Sequence, residues 1–92
     1  MRTYYEEYKE VKDKAMFVGE DQWEKMTESE KATLLKDKTI IIPKGPEYAC
    51  MKYLIVGNAS NLTDQQCAIF ADGGNLCFGY RMEGRTIVVY TD

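Results

Sequence analysis

The chain has 92 residues, 45% of them apolar, with 7 Tyr, 3 Phe and 1 Trp, which is enough for one domain with its own core and excludes a disordered chain. Its net charge is −3, which leaves no basic footprint for DNA, RNA or an anionic membrane surface. The charges are uneven along the chain. Residues 1–38 hold 8 Lys/Arg and 10 Asp/Glu and read in helical period, whereas residues 39–92 read in strand period with Gly, Asn and Asp between the runs.

The first element expected is a helix capped by Thr3 and running to about Val18. Tyr4, Tyr8, Val11, Ala15 and Val18 fall on one stripe, acids crowd the first turns, and Gly19 offers a left-handed stop. A second helical segment follows in two pieces. Asp21 with Glu24 caps a short turn carrying Trp23 and Met26. Thr27 and Glu30 then have capping-box spacing for a helix from Glu28 to about Lys36. Trp23 is expected to plug the seam between helix and sheet. Basic residues interleave with the acids (Glu10/Lys14, Glu24/Lys25, Glu30/Lys31), which describes a solvated helix face and argues against a mimic of a nucleic-acid backbone.

The β-branched run Thr39–Ile42 is expected to stop at Pro43, with turn chemistry through Pro46. Tyr48–Val56 is the longest strand expected, and Gly57–Asp64 a polar loop; the two sequons there, at Asn58 and Asn61, read as loop composition. Two hairpins follow. Gly73-Gly74 closes Gln66–Asp72 onto Asn75–Met82, and Glu83-Gly84 closes that strand onto Arg85–Thr91. Both registers put Leu76, Phe78, Tyr80 and Met82 inward, with Phe78 between Ile69 and Val89. That agreement favours the hairpins over the rival for Asp64–Ala71, a short helix capped by Thr63. The expected architecture is α+β: two N-terminal helical segments packed on a four- to five-stranded antiparallel sheet that ends in a C-terminal meander. Residues 1–92 form a single domain, 1–38 helical and 39–92 sheet.

The opposite face of the meander carries Phe70, Cys77, Gly79, Arg81, Thr86, Val88 and Tyr90, and is apolar for a solvated face. A covering helix, a homodimer and a different partner compete to explain it. Phe70, Arg81, Val88 and Tyr90 are the expected partner-binding residues, with Arg81 and Tyr90 as anchors, since Arg and Tyr combine contact area with directional hydrogen bonds.

Much reactive chemistry is missing from the sequence. With no histidine there is no Ser-His or Cys-His pair, and no phosphate-binding glycine motif occurs. Cys50, Cys67 and Cys77 form no C-x-x-C pair and read as small buried apolar residues in strands of a reducing compartment, with no metal and no cofactor. The first residues lack the apolar core of a signal peptide, and no run is long enough to span a membrane, so the cytoplasm is expected. By elimination the chain is expected to be a non-catalytic module that binds a protein. The profile suits an inhibitor or regulator that blocks its partner sterically, of the kind phages and mobile elements carry. The alternative is a nucleic-acid or small-ligand module using the open sheet face, with Phe70 and Tyr90 stacking bases and Lys52 and Arg81 meeting phosphates. The net charge disfavours nucleic acid.

Overall fold

The computed structural model describes residues 2–92 and is α+β, with helices first and strands at the C-terminal end. Five strands form one sheet in the order β1-β2-β3-β5-β4, antiparallel throughout except that β1 runs parallel to β2.

Thr3 does cap the first helix, accepting from Glu6 N–H, but α1 covers only Tyr4–Val11. The apolar run Ala15–Phe17 is instead β1, set alongside Thr39–Ile41. Pairing wins over helical continuation here because Ile40, Ile41 and Ile42 are all buried, so the backbone between them needs partners on both sides. The pairing is held by Thr39 N–H to Lys14 O (2.9 Å) and Val18 N–H to Ile41 O (3.1 Å). Gly19 is not a left-handed stop. It has φ −63° and is the N-cap of α2, Glu20–Lys25, so Asp21 lies inside the first turn. The box at Thr27 and Glu30 forms as spaced and opens α3, Glu28–Asp37.

Strand β2, Thr39–Glu47, runs through both prolines. The partner of β1 ends at Ile41, and Ile41 O faces β1. Pro43, two residues on, therefore turns its N–H-less nitrogen to an open edge where no hydrogen bond is lost. A bulge between Pro43 and Gly45 absorbs one residue before the pairing with β3, Cys50–Val56, resumes. The start of β3 is two residues later than expected because Tyr48 and Ala49 form the turn.

The largest departure lies at residues 64–74. Asp64–Ala71 is a helix, α4, not a strand. Thr63 and Gln66 make a full capping box at its start. Its end is a Schellman closure: Gly74 N–H reaches Ile69 O (2.8 Å), Gly73 N–H reaches Phe70 O (3.1 Å), and Gly73 takes φ +65°. A Gly-Gly pair suits this closure as well as it suits a hairpin. Leu76 is buried but Phe78, expected at the centre of the core, is 59% exposed in the segment leading to β4, Tyr80–Glu83. β5 is Thr86–Tyr90, and the turn between them is Gly84-Arg85 rather than Glu83-Gly84. Moving the turn by one residue moves the register by two. Tyr80 and Met82 therefore still share a face with Ile87 and Val89.

Helices pack on both faces of the sheet, on the second only over β1–β3. On one face α1 and α4 bury Val11, Ile69, Cys67 and Ala68 against Ile41, Ile55, Ile87 and Val89. On the other, α2 and α3 bring Trp23, Met26, Leu34 and Leu35 onto Val18, Ile40 and Ile42, so Trp23 sits at the helix–sheet seam. A polar knot locks the loop after β3. The buried Thr39 hydroxyl meets Asn58 Oδ1 (2.7 Å) and Ser60 Oγ (2.6 Å), and Ser60 reaches Lys14 O (3.0 Å). Asn58 also accepts from Leu62 N–H and donates to Leu62 O, so the sequon residues serve loop geometry. No helix among the described residues is long and apolar enough to cross a membrane.

Candidate interaction surfaces

Three of the four residues expected at the partner face lie together. Arg81 pairs across strands with Val88, and Tyr90 follows on the same side of β5. Val88 is fully buried, and its two cross-strand neighbours are Lys52 and Arg81, side chains whose apolar stems can cover a valine while their charges stay in water. Gly79 lies opposite Tyr90, and a Cβ on it would stand 3.8 Å from the Tyr90 ring. Phe70 is on α4, on the opposite side of the sheet, and is buried.

The Arg81 surface is satisfied from within. Arg81 donates to Tyr90 Oη (3.0 Å) and, through Nε and an Nη, to Glu83 (2.9 and 2.6 Å), and its guanidinium lies 5.6 Å from the Tyr90 ring centre. The Tyr90 and Glu83 contacts both hold the Arg81 proton more tightly, and the Arg81 contact pulls the Glu83 carboxyl below its ordinary range. Lys52 lies 3.0 Å from Glu47 and 3.9 Å from Glu83, and the Glu47 contact raises its ammonium group's pKa. Both cations of this face are thus occupied by carboxylates.

A different surface was hidden in the sequence. Five aromatic rings form an unbroken row on the α1/α4 side: Tyr5, Tyr8, Phe70, Phe17 and Tyr53. Successive centroids are 6.1, 6.2, 4.8 and 6.1 Å apart, all within the range of favourable ring contacts. The row draws on α1, α4, β1 and β3, so it exists only after the chain has folded. Phe70, buried beneath, is the keystone. Tyr5 remains 57% and Phe17 45% exposed, and Lys9 Nζ stands 5.3 Å from the Tyr5 ring centre. At the Tyr53 end, burial pushes the phenol's pKa up, helped by the nearby Asp72 carboxylate, whose own pKa is raised by burial. The available signal was that Tyr5 and Phe17 lie off the centre of the apolar stripe in residues 4–18.

The cysteines differ from one another. Cys50 is buried on β3, Cys67 is buried on α4 rather than on a strand, and Cys77 is exposed in the segment before β4. Burial pushes the Cys67 thiol up to about 11, far from thiolate chemistry at neutral pH. Among the described residues, no group of three or more Cys, Asp or Glu side chains is placed to hold a metal ion. No protein-family model matches the chain, and no curated protein or solved structure gives a significant match to it.

Proposed function

We propose that this chain is a non-catalytic protein-binding module that presents its aromatic row to a protein partner and acts as an inhibitor or regulator by occupying the partner's working surface. The observation that carries the reading is the row itself, with Tyr5 and Phe17 exposed yet held in place by ring contacts to Tyr8, Phe70 and Tyr53. Rings fixed before binding lose little rotamer freedom on docking, and large preorganised aromatics dominate binding hot spots. The nucleic-acid alternative needed free cations on the Arg81 face, and the carboxylates around Lys52 and Arg81 count against it.

The test is a binding measurement on the partner recovered with the wild-type chain. Tyr5→Ser and Phe17→Ser are each expected to weaken binding by roughly 2 kcal/mol, about 30-fold, while Tyr90→Ser leaves it near the wild-type value. Unchanged binding in both aromatic variants, with the fold intact by circular dichroism, would refute this reading.

A further inference from the structure

Among the described residues the sheet has three stretches of open edge, and β4 alone offers more than three residues without a proline or a bulge. β1 offers three residues. Beyond Ile41, β2 carries Pro43, Pro46 and a bulge, devices that stop another strand from adding. β4 is the last strand on its side and has neither proline nor bulge. Its backbone has a defined phase. Tyr90 N–H donates to Gly79 O (3.0 Å), so the groups of Gly79, Arg81 and Glu83 face β5. By alternation, those of Tyr80 and Met82 face outward, where no strand among the described residues receives them.

We propose that this edge pairs with the β4 edge of a second copy of the chain, antiparallel about a two-fold axis at Met82, joining two five-stranded sheets into one. The proposal is independent of the aromatic row, which lies on other elements. Two features select the register. Hydrogen bonding requires outward-facing residues opposite each other, which Met82 against Met82 of the second copy satisfies. Charge then decides between neighbouring registers. The axis at Met82 sets Arg81 opposite Glu83 of the second copy, twice, at the close spacing of a non-hydrogen-bonded pair. An axis at Arg81 would set Arg81 against itself, and like charges directly opposite each other are destabilising. Arg81 and Glu83 already lie 2.6 Å apart within one chain, so pairing gathers four alternating charges without burying any of them alone. Such an interface is small. It belongs to the weak class burying under about 1,200 Å², and the association is concentration-dependent.

Sedimentation equilibrium over a concentration series tests the pairing and its register. The wild-type mass is expected to rise from one chain toward two. Arg81→Glu and Glu83→Arg, each alone, set like charges opposite each other and are expected to stay monomeric. Mixed in equal amounts they are expected to associate with each other, because the wholly acidic edge of the first variant then faces the wholly basic edge of the second. Met82→Pro removes an N–H that meets no strand among the described residues, and is expected to be monomeric with a cooperative melt. A wild-type chain that stays monomeric throughout, single charge variants that dimerise like wild type, or a mixture that fails to associate would each overturn the proposal.

Discussion

Gly74 is where the end of α4 meets α1, and three alanine substitutions separate what it contributes. A Cβ built on Gly74 would stand 3.0 Å from Tyr8 Cβ, 3.1 Å from Tyr8 Cγ and 3.2 Å from Tyr5 Cδ2. The first two atoms lie at the root of their side chain, so relief requires α1 itself to move. Gly74 also has φ +87°, a conformation that costs an L-residue about 1–2 kcal/mol. Crowding in a packed site adds roughly 1–3 kcal/mol. Gly73 shares the strain at φ +65° but meets nothing within 4 Å, and Gly19 has neither problem. Gly74→Ala is therefore expected to cost about 2–5 kcal/mol, Gly73→Ala about 1–2, and Gly19→Ala less than either. At about 4–8 °C per kcal/mol for a domain of this size, thermal melts resolve the order. Equal losses for Gly73→Ala and Gly74→Ala would show that α1 does not press on this turn, and the Tyr5–Tyr8 end of the aromatic row would lose its support.

Three further outcomes are expected. Cys77 should react quickly with a thiol reagent in the native protein, while Cys67, with its thiol pushed up to about 11, and buried Cys50 should react only on unfolding; mass spectrometry of the labelled chain reads this directly. Ile69→Ala should cost about 2–5 kcal/mol and Phe78→Ala within about 0.5, as measured by urea unfolding; the reverse order would restore the hairpin reading of residues 66–82. The Glu30 carboxyl is held low, first by the Thr27 N–H and then by its hydroxyl, so its folded pKa lies below the unfolded value of 4.5. That contribution is present above 4.5 and disappears as the pH falls through the lower folded value. The stability gap between wild type and Glu30→Gln should accordingly narrow on acidification, and a gap independent of pH would contradict the cap.

What could be read from the sequence divides by the range of the interactions involved. The box at Thr27 and Glu30 depends on atoms three residues apart, and spacing alone revealed it. The faces of β4 and β5 survived a misplaced turn because parity is robust to a shift of two. Two segments were ambiguous. Residues 15–18 fit a helical stripe and an apolar strand equally well, and the unmet backbone of the Ile40–Ile42 run decided between them. Residues 63–74 carried a capping box at one end and a glycine pair at the other, so two local signals agreed on a helix. A register that makes Gly73-Gly74 a hairpin turn competes with them, and the capping box and the Schellman closure prevail because together they satisfy both ends of α4. For the site, Arg81, Val88 and Tyr90 share a face as expected. The aromatic row was not legible, because its rings come from four elements whose adjacency only the tertiary fold creates.

The short parallel strand β1 also acts as a guard. Behind it lies Thr39-Ile40-Ile41-Ile42, an uncharged β-branched run of the composition that stacks into cross-β assemblies. With β1 in place, Ile40 and Ile41 are paired on both sides and the whole run is buried. Once β1 swings out, the run becomes a flat apolar edge preceding the protection of Pro43. β1 is held by three residue pairs and their flanking bonds, by buried Ala15 and by the Phe17–Phe70 ring contact, and as a three-residue edge strand it is expected to open before the interior of the sheet does. Stresses that loosen residues 15–18 should therefore appear first as aggregation seeded by residues 39–42, while the helices still give their full circular-dichroism signal.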